Sequence, residues 1–218
     1  MTDLRQSSPA RASVSRDTVT ILAWLSALFG APPTADVVAA HRRGASSSLL
    51  RELGEEPEFA AGVAAMTIAF DAEADDATVA AGLGRRYGLL FDGIGGPKTV
   101  PPYESAFRPG AAWRLFQEPV SEMDALLAEH GLSVSAETSR PSDHLSIELA
   151  LAAHFAAAGD PAFADMMKRL ASWVPAFAAQ CVEADESGFW GGAARVLAAA
   201  VSRETPIPEA TEPEEVAA

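Results

Sequence analysis

Glu58-Phe-Ala-Ala-Gly-Val-Ala-Ala-Met-Thr-Ile-Ala-Phe-Asp71 reads as a helix with one apolar face. Phe59, Val63, Met66 and Phe70 recur at i, i+4, i+7 and i+11, the period that lays side chains along a single stripe. Asp75-Asp76 opens a second such segment reaching about Phe91, with Val79, Leu83, Tyr87 and Leu90 at the same kind of spacing. No apolar–polar alternation of strand length occurs, and the β-branched residues are scattered. The expectation is an all-α fold, a bundle of about nine or ten helices.

Towards the N-terminus, residues 1–16 are polar and read as a flexible arm. A first helix is expected over 17–29, with Asp17 as N-cap and Gly30 at its end. Pro32-Pro33 breaks the chain, Thr34 and Asp36 open a second helix to about Arg43, and a short helical piece ends at Gly54. In the other direction, residues 92–102 hold three glycines and three prolines and cannot be helical. Helical character returns near 111–117 and over 121–130, and a second loop covers 132–142. Three strong helices follow, over about 143–158, 161–184 and 187–203, with Pro175 expected to kink or divide the second after Trp173. Residues 204–218 carry five glutamates and three prolines and read as a disordered acidic tail. The organisation is therefore one all-α domain over 17–203, in halves 17–91 and 103–203. The loop between the halves would permit a homodimer by domain swapping.

The whole chain has 218 residues, 49% apolar, and about a fifth of them are alanine, the best helix former. Cys181 is the single cysteine, so a disulfide framework is excluded. Thirty acids against sixteen bases give a formal charge of −14, which argues against nucleic acid and favours a cationic partner. No apolar run is long enough to span a membrane. The stretch Thr18–Phe29 behind Arg5, Arg11 and Arg16 imitates a secretory signal, but Asp17 lies directly against the apolar run. A buried first helix is the better reading, and a cytoplasmic location is expected.

Two segments invite a chemical reading. Gly93-Ile-Gly-Gly-Pro-Lys-Thr99 has phosphate-loop ingredients, but a P-loop needs a preceding strand, and Pro97 stands before Lys98. Asp143-His-Leu-Ser-Ile-Glu148 puts His144 and Glu148 four apart at a helix start, so their side chains are expected on one face, with Asp143 as a candidate N-cap. Such a pair could serve acid–base chemistry or hold a metal, yet neither a nucleophile nor an H-E-x-x-H motif accompanies it. Cys181 sits in an apolar helix and reads as buried and inert. The aromatics Trp113, Phe116, Phe155, Phe163, Trp173, Phe177, Phe189 and Trp190 read as core by default. No enzyme, resident cofactor or metal is expected. A nucleotide-binding or hydrolytic protein using 93–99 with His144 and Glu148 is the alternative.

Three segments in order carry a resemblance: Tyr87-Gly-Leu-Leu-Phe-Asp-Gly-Ile-Gly-Gly-Pro97, Pro101-Pro-Tyr-Glu-Ser105 and Pro141-Ser-Asp-His-Leu-Ser-Ile-Glu-Leu149. Together with Arg169-Leu-Ala-Ser-Trp-Val-Pro-Ala-Phe177, they resemble the TorD/DmsD family of redox-enzyme maturation chaperones over about 87–200, with nitrate reductase assembly proteins more distant. Arg140 stands where that family's motif usually has glutamate, and Gly191-Gly192 follow Phe189-Trp190 where an arginine or polar residue is common. The resemblance implies a cytoplasmic, cofactor-free chaperone that binds the twin-arginine (Tat) leader or apo form of a molybdopterin-dependent oxidoreductase and delays export until the cofactor is loaded. It also implies a leader site on the motifs. Asp143, Glu104 and Glu148 would face arginine guanidinium, His144 and Tyr103 would lie on the same motifs, and Leu145, Phe107 and Trp113 would supply apolar contacts.

Overall fold

The computed structural model describes residues 14–108, 118–135, 140–185 and 188–205. Among them are nine α-helices: α1 (Arg16–Gly30), α2 (Ala35–Arg43), α3 (Ala45–Glu55), α4 (Pro57–Phe70), α5 (Asp76–Phe91), α6 (Glu118–Glu129), α7 (Leu145–Ala158), α8 (Ala162–Ala184) and α9 (Phe189–Glu204). Phe59, Val63, Met66 and Phe70 lie on the buried face of α4, and Val79, Leu83, Tyr87 and Leu90 on that of α5. The segment expected to be helical near 111–117, with Trp113 and Phe116, lies outside the described residues, as do most of the N-terminal arm and residues 206–218.

Helix boundaries follow local chemistry, with some corrections. Ser15, not Asp17, caps α1, its hydroxyl accepting the Thr18 N–H at 3.1 Å; Asp17 lies in the first turn, where a carboxylate favours the helix dipole. Thr34 caps α2 through the Val37 N–H, as its position suggests. Pro175 does not divide α8, which runs continuously through it. Helix α9 includes Glu204, whose carboxylate accepts the Thr18 hydroxyl at 2.7 Å, so this residue belongs to the fold and not to a tail.

The halves on either side of 92–102 share one core. Helix α1 packs along α7, and α4 along α9. The α4–α9 approach is close because both sides carry glycine: a Cβ on Gly62 would stand 2.7 Å from the Gly192 carbonyl oxygen. Where α1, α5, α8 and α9 meet, Phe29, Tyr87, Phe91, Phe177 and Trp190 form an aromatic centre with edge-to-face contacts such as Tyr87–Trp190 at 5.3 Å. The Trp190 indole finds the Leu83 carbonyl, and the Tyr87 hydroxyl donates to the Phe29 carbonyl at 2.9 Å. This centre fixes the C-terminal end of α1, the wall against which the motif residues are set.

Candidate functional site

Pro102 has no N–H to donate, but its carbonyl remains free to accept. It receives the Leu145 N–H at 2.9 Å, and the Glu104 N–H donates to the Asp143 carbonyl at 3.1 Å. These two bonds create an antiparallel bridge between Tyr103 and His144, whose rings meet edge to face at 5.0 Å. The two motifs, almost forty residues apart in the chain, thus form one piece of backbone. His144 is the N-cap of α7 and lies outside it: its Nδ1 accepts the Ser146 N–H at 3.1 Å, which puts the neutral ring's proton on Nε2. His144 and Glu148 therefore do not share a helical face, and Asp143 is not the cap of α7. The Asp143 Oδ2 instead accepts the Ser105 N–H at 3.2 Å.

Glu104, Asp143, His144, Leu145 and Glu148 are all buried. Glu104 accepts Arg108 Nε at 3.0 Å and a second bond from the Arg169 guanidinium of α8. Glu122 of α6 lies 2.5 Å from Arg108 and 3.0 Å from Arg169, and Pro119 offers Arg169 its carbonyl at 3.2 Å. The Glu148 Oε2 accepts the Trp173 indole N–H at 3.1 Å. Its Oε1 stands 3.8 Å from Arg169 Nε, and neither of these two atoms has a hydrogen-bond partner. Among the described residues, three carboxylates thus surround two guanidiniums, an excess of one negative charge around the buried Glu104 and Glu148. Burial, and next the Glu104 carboxylate beside it, hold the Glu148 carboxyl well above the usual range against the pull of Arg169. A neutral Glu148 balances the cluster.

Neighbouring groups shift for the same reason. Burial raises Asp143, and Glu104 adds to the effect against the bonds from Ser105. Burial, then the Arg140 charge, push His144 down to about 3, so it is neutral at physiological pH. Among the sequence-derived candidates, Tyr103 and Phe107 are only partly buried. Phe107 stacks on Trp173 at 5.7 Å and meets Phe177 edge to face. Trp113 lies outside the described residues. Sequence reasoning missed Arg108, Glu122, Arg169 and Trp173, which complete the cluster. A signal was present in α8, where Arg169 adjoins the apolar series Met166, Leu170, Trp173 and Phe177.

Arg140 takes no part in that cluster. Its guanidinium donates to the Gly30 carbonyl at the end of α1 and to the Tyr87 hydroxyl at 3.2 Å. The 93–99 loop follows helix α5 and contains only a 3-10 turn, Gly96–Lys98, so the strand that a phosphate loop requires is missing there. Cys181 is buried, which raises its thiol well above the reactive range. Among the described residues, no three His, Cys, Asp or Glu side chains are grouped to hold a metal, and no helix is long and apolar enough to cross a membrane.

The family model described as nitrate reductase delta subunit matches residues 56–179, more than half of the chain. Chaperone protein TorD of Vibrio cholerae is 31% identical over 100 residues, 40% of this chain and 46% of that protein, so the chain spans under half of this relative's length. Chaperone protein TorD of Shewanella oneidensis is 29% identical over 196 residues, 86% of this chain and 88% of that one. The Photobacterium profundum protein of the same name is 26% identical over 191 residues, 81% and 87%. These relatives are named as chaperones, not as enzymes, and the motif cluster lies largely within the matched region. The chain is a member of the nitrate reductase delta subunit family, which includes the TorD-type chaperones.

Proposed function

We propose that this protein is a cytoplasmic maturation chaperone for a molybdopterin-dependent oxidoreductase. It binds the client's twin-arginine leader, its apo form or both, and delays export until the cofactor is inserted. The likeness to TorD chaperones over most of the chain is the observation that supports this reading best. The motif cluster adds to it, because Glu104 is buried against Arg108 and Arg169 and no nucleophile stands beside the acids among the described residues.

The leader site in this reading lies on the surface that the cluster supports. Tyr103 and Phe107 present partly buried aromatic faces, and Glu122 is the outermost carboxylate, with about a third of its side chain exposed. Asp143, His144, Leu145, Glu104 and Glu148 hold that surface from beneath. An apolar leader helix would lie against the aromatic faces while its arginines approach Glu122, and the acidic surface would draw the basic end in at long range.

Calorimetric titration of the full chain with the leader peptide of a molybdopterin-dependent oxidoreductase from the same organism tests the proposal. Binding at about micromolar strength is expected, weakening as salt rises. The absence of heat with both the leader and the apoenzyme would overturn it.

A further inference from the structure

A groove of about 470 Å³ lies beside the motif cluster, between the C-terminal half of α1, the stretch after α6 and the outer face of α7. That volume is within the range of sites that seat a ligand. Leu127, Leu132, Val134, Ile147 and Leu151 supply an apolar lining. Its charged or chargeable lining groups are Arg140 and His154; among the described residues that line it there is no Asp or Glu. On a chain of formal charge −14, the described lining of this groove carries the opposite sign.

Arg140 stands out among the half-buried arginines. Arg42, Arg86, Arg108 and Arg169 each face a carboxylate. Among the described residues, Arg140 meets only neutral oxygens, the Gly30 carbonyl and the Tyr87 hydroxyl, and the negative end of the α1 dipole offsets its charge only in part. A half-buried guanidinium without a counter-ion attracts a carboxylate strongly, since its fork matches two carboxylate oxygens.

We propose that this groove seats a polypeptide segment of a partner protein that carries one Asp or Glu among Leu- or Ile-type residues, its carboxylate on Arg140 and its apolar side chains along the lining. Charge complementarity selects this occupant: a twin-arginine leader would bring cations to Arg140. The inference thus stands apart from the leader reading, and either can fail alone.

The probe is a fluorescein-labelled acetyl-Ala-Leu-Leu-Glu-Leu-Leu-Ala amide, with twins carrying Gln or Arg in place of Glu, titrated against the full chain by fluorescence anisotropy. Amide shifts in the 15N-labelled chain locate the contact. The Glu probe should bind about tenfold more tightly than the Gln twin, with shifts at Ser146–Leu151. Arg140→Met should abolish that preference, and Ile147→Asp should weaken both probes. Should Arg140→Met disturb the fold, the native chain still decides, because the Glu–Gln gap must narrow as salt rises. No binding, equal binding of the Glu and Gln probes, or tightest binding of the Arg twin at these amides would overturn the proposal.

Discussion

Two regions on either side of the Tyr103–His144 bridge handle charge in opposite ways. In the cluster of Glu104, Glu122, Glu148, Arg108 and Arg169, every guanidinium faces carboxylates, with Glu104 and Glu148 buried and Glu122 at its rim. The groove at Arg140 is open and holds a cation without a counter-ion among the described residues. The overall acidity of the chain foretells neither, since most of its acids lie elsewhere. Net charge describes the long-range field, whereas the sign at a contact surface depends on which groups have already found partners.

Removing Arg169 should break the closed region most severely. Arg169→Ala leaves Glu104 buried with much of its compensation gone, and a loss of about 3–5 kcal/mol is expected in urea unfolding. A loss below about 1 kcal/mol would mean that the cluster is looser than its geometry. Next in size is a pH effect at the bridge. His144 is depressed in the folded state, so its contribution is fully present above the ordinary value of 6.5 and is lost as pH falls from there towards about 3. The slope from this one group is at most about 1.4 kcal/mol per pH unit. Asp143 and Glu148, both raised, act in the opposite sense, since the folded state favours their protonated forms. His144→Asn keeps an N-cap acceptor and removes the titration, so its stability should fall less steeply than the native chain's between pH 6.5 and 4. Identical slopes would remove His144 from the account.

On the open side, Arg140→Met gives up bonds to neutral oxygens only and should cost about 1 kcal/mol by thermal unfolding. A cost approaching that of Arg169→Ala would erase the contrast between the regions. The smallest change is expected from Glu148→Gln, which imitates the neutral carboxyl. Its stability at pH 7 should stay within about 1 kcal/mol of the native value. A larger loss would show that Glu148 works as a carboxylate.

The helices were legible because their signal is local. The stripe Phe59, Val63, Met66 and Phe70 and the breaks at Pro32-Pro33 and 92–102 need no knowledge of distant residues. The caps were less so: Ser15 and Asp17 are both good cap residues, and at α7 a histidine takes the place expected of Asp143, so only backbone geometry decides between neighbours. The motif segments were found, but their acids were expected to await a partner's arginines. Arg169 lies 65 residues from Glu104; its place beside the apolar stripe of α8 marks it as half-buried but does not say which acid it meets. The groove at Arg140 was invisible for the same reason, being assembled from α1, α7 and the stretch after α6.

Amide shift mapping of the 15N-labelled full chain with a saturating twin-arginine leader peptide tests the division between these regions most directly. Shifts concentrated at Tyr103–Phe107 and around Glu122, with Ser146–Leu151 unchanged, are the predicted result. Shifts confined to Ser146–Leu151, with Tyr103–Phe107 silent, would contradict it.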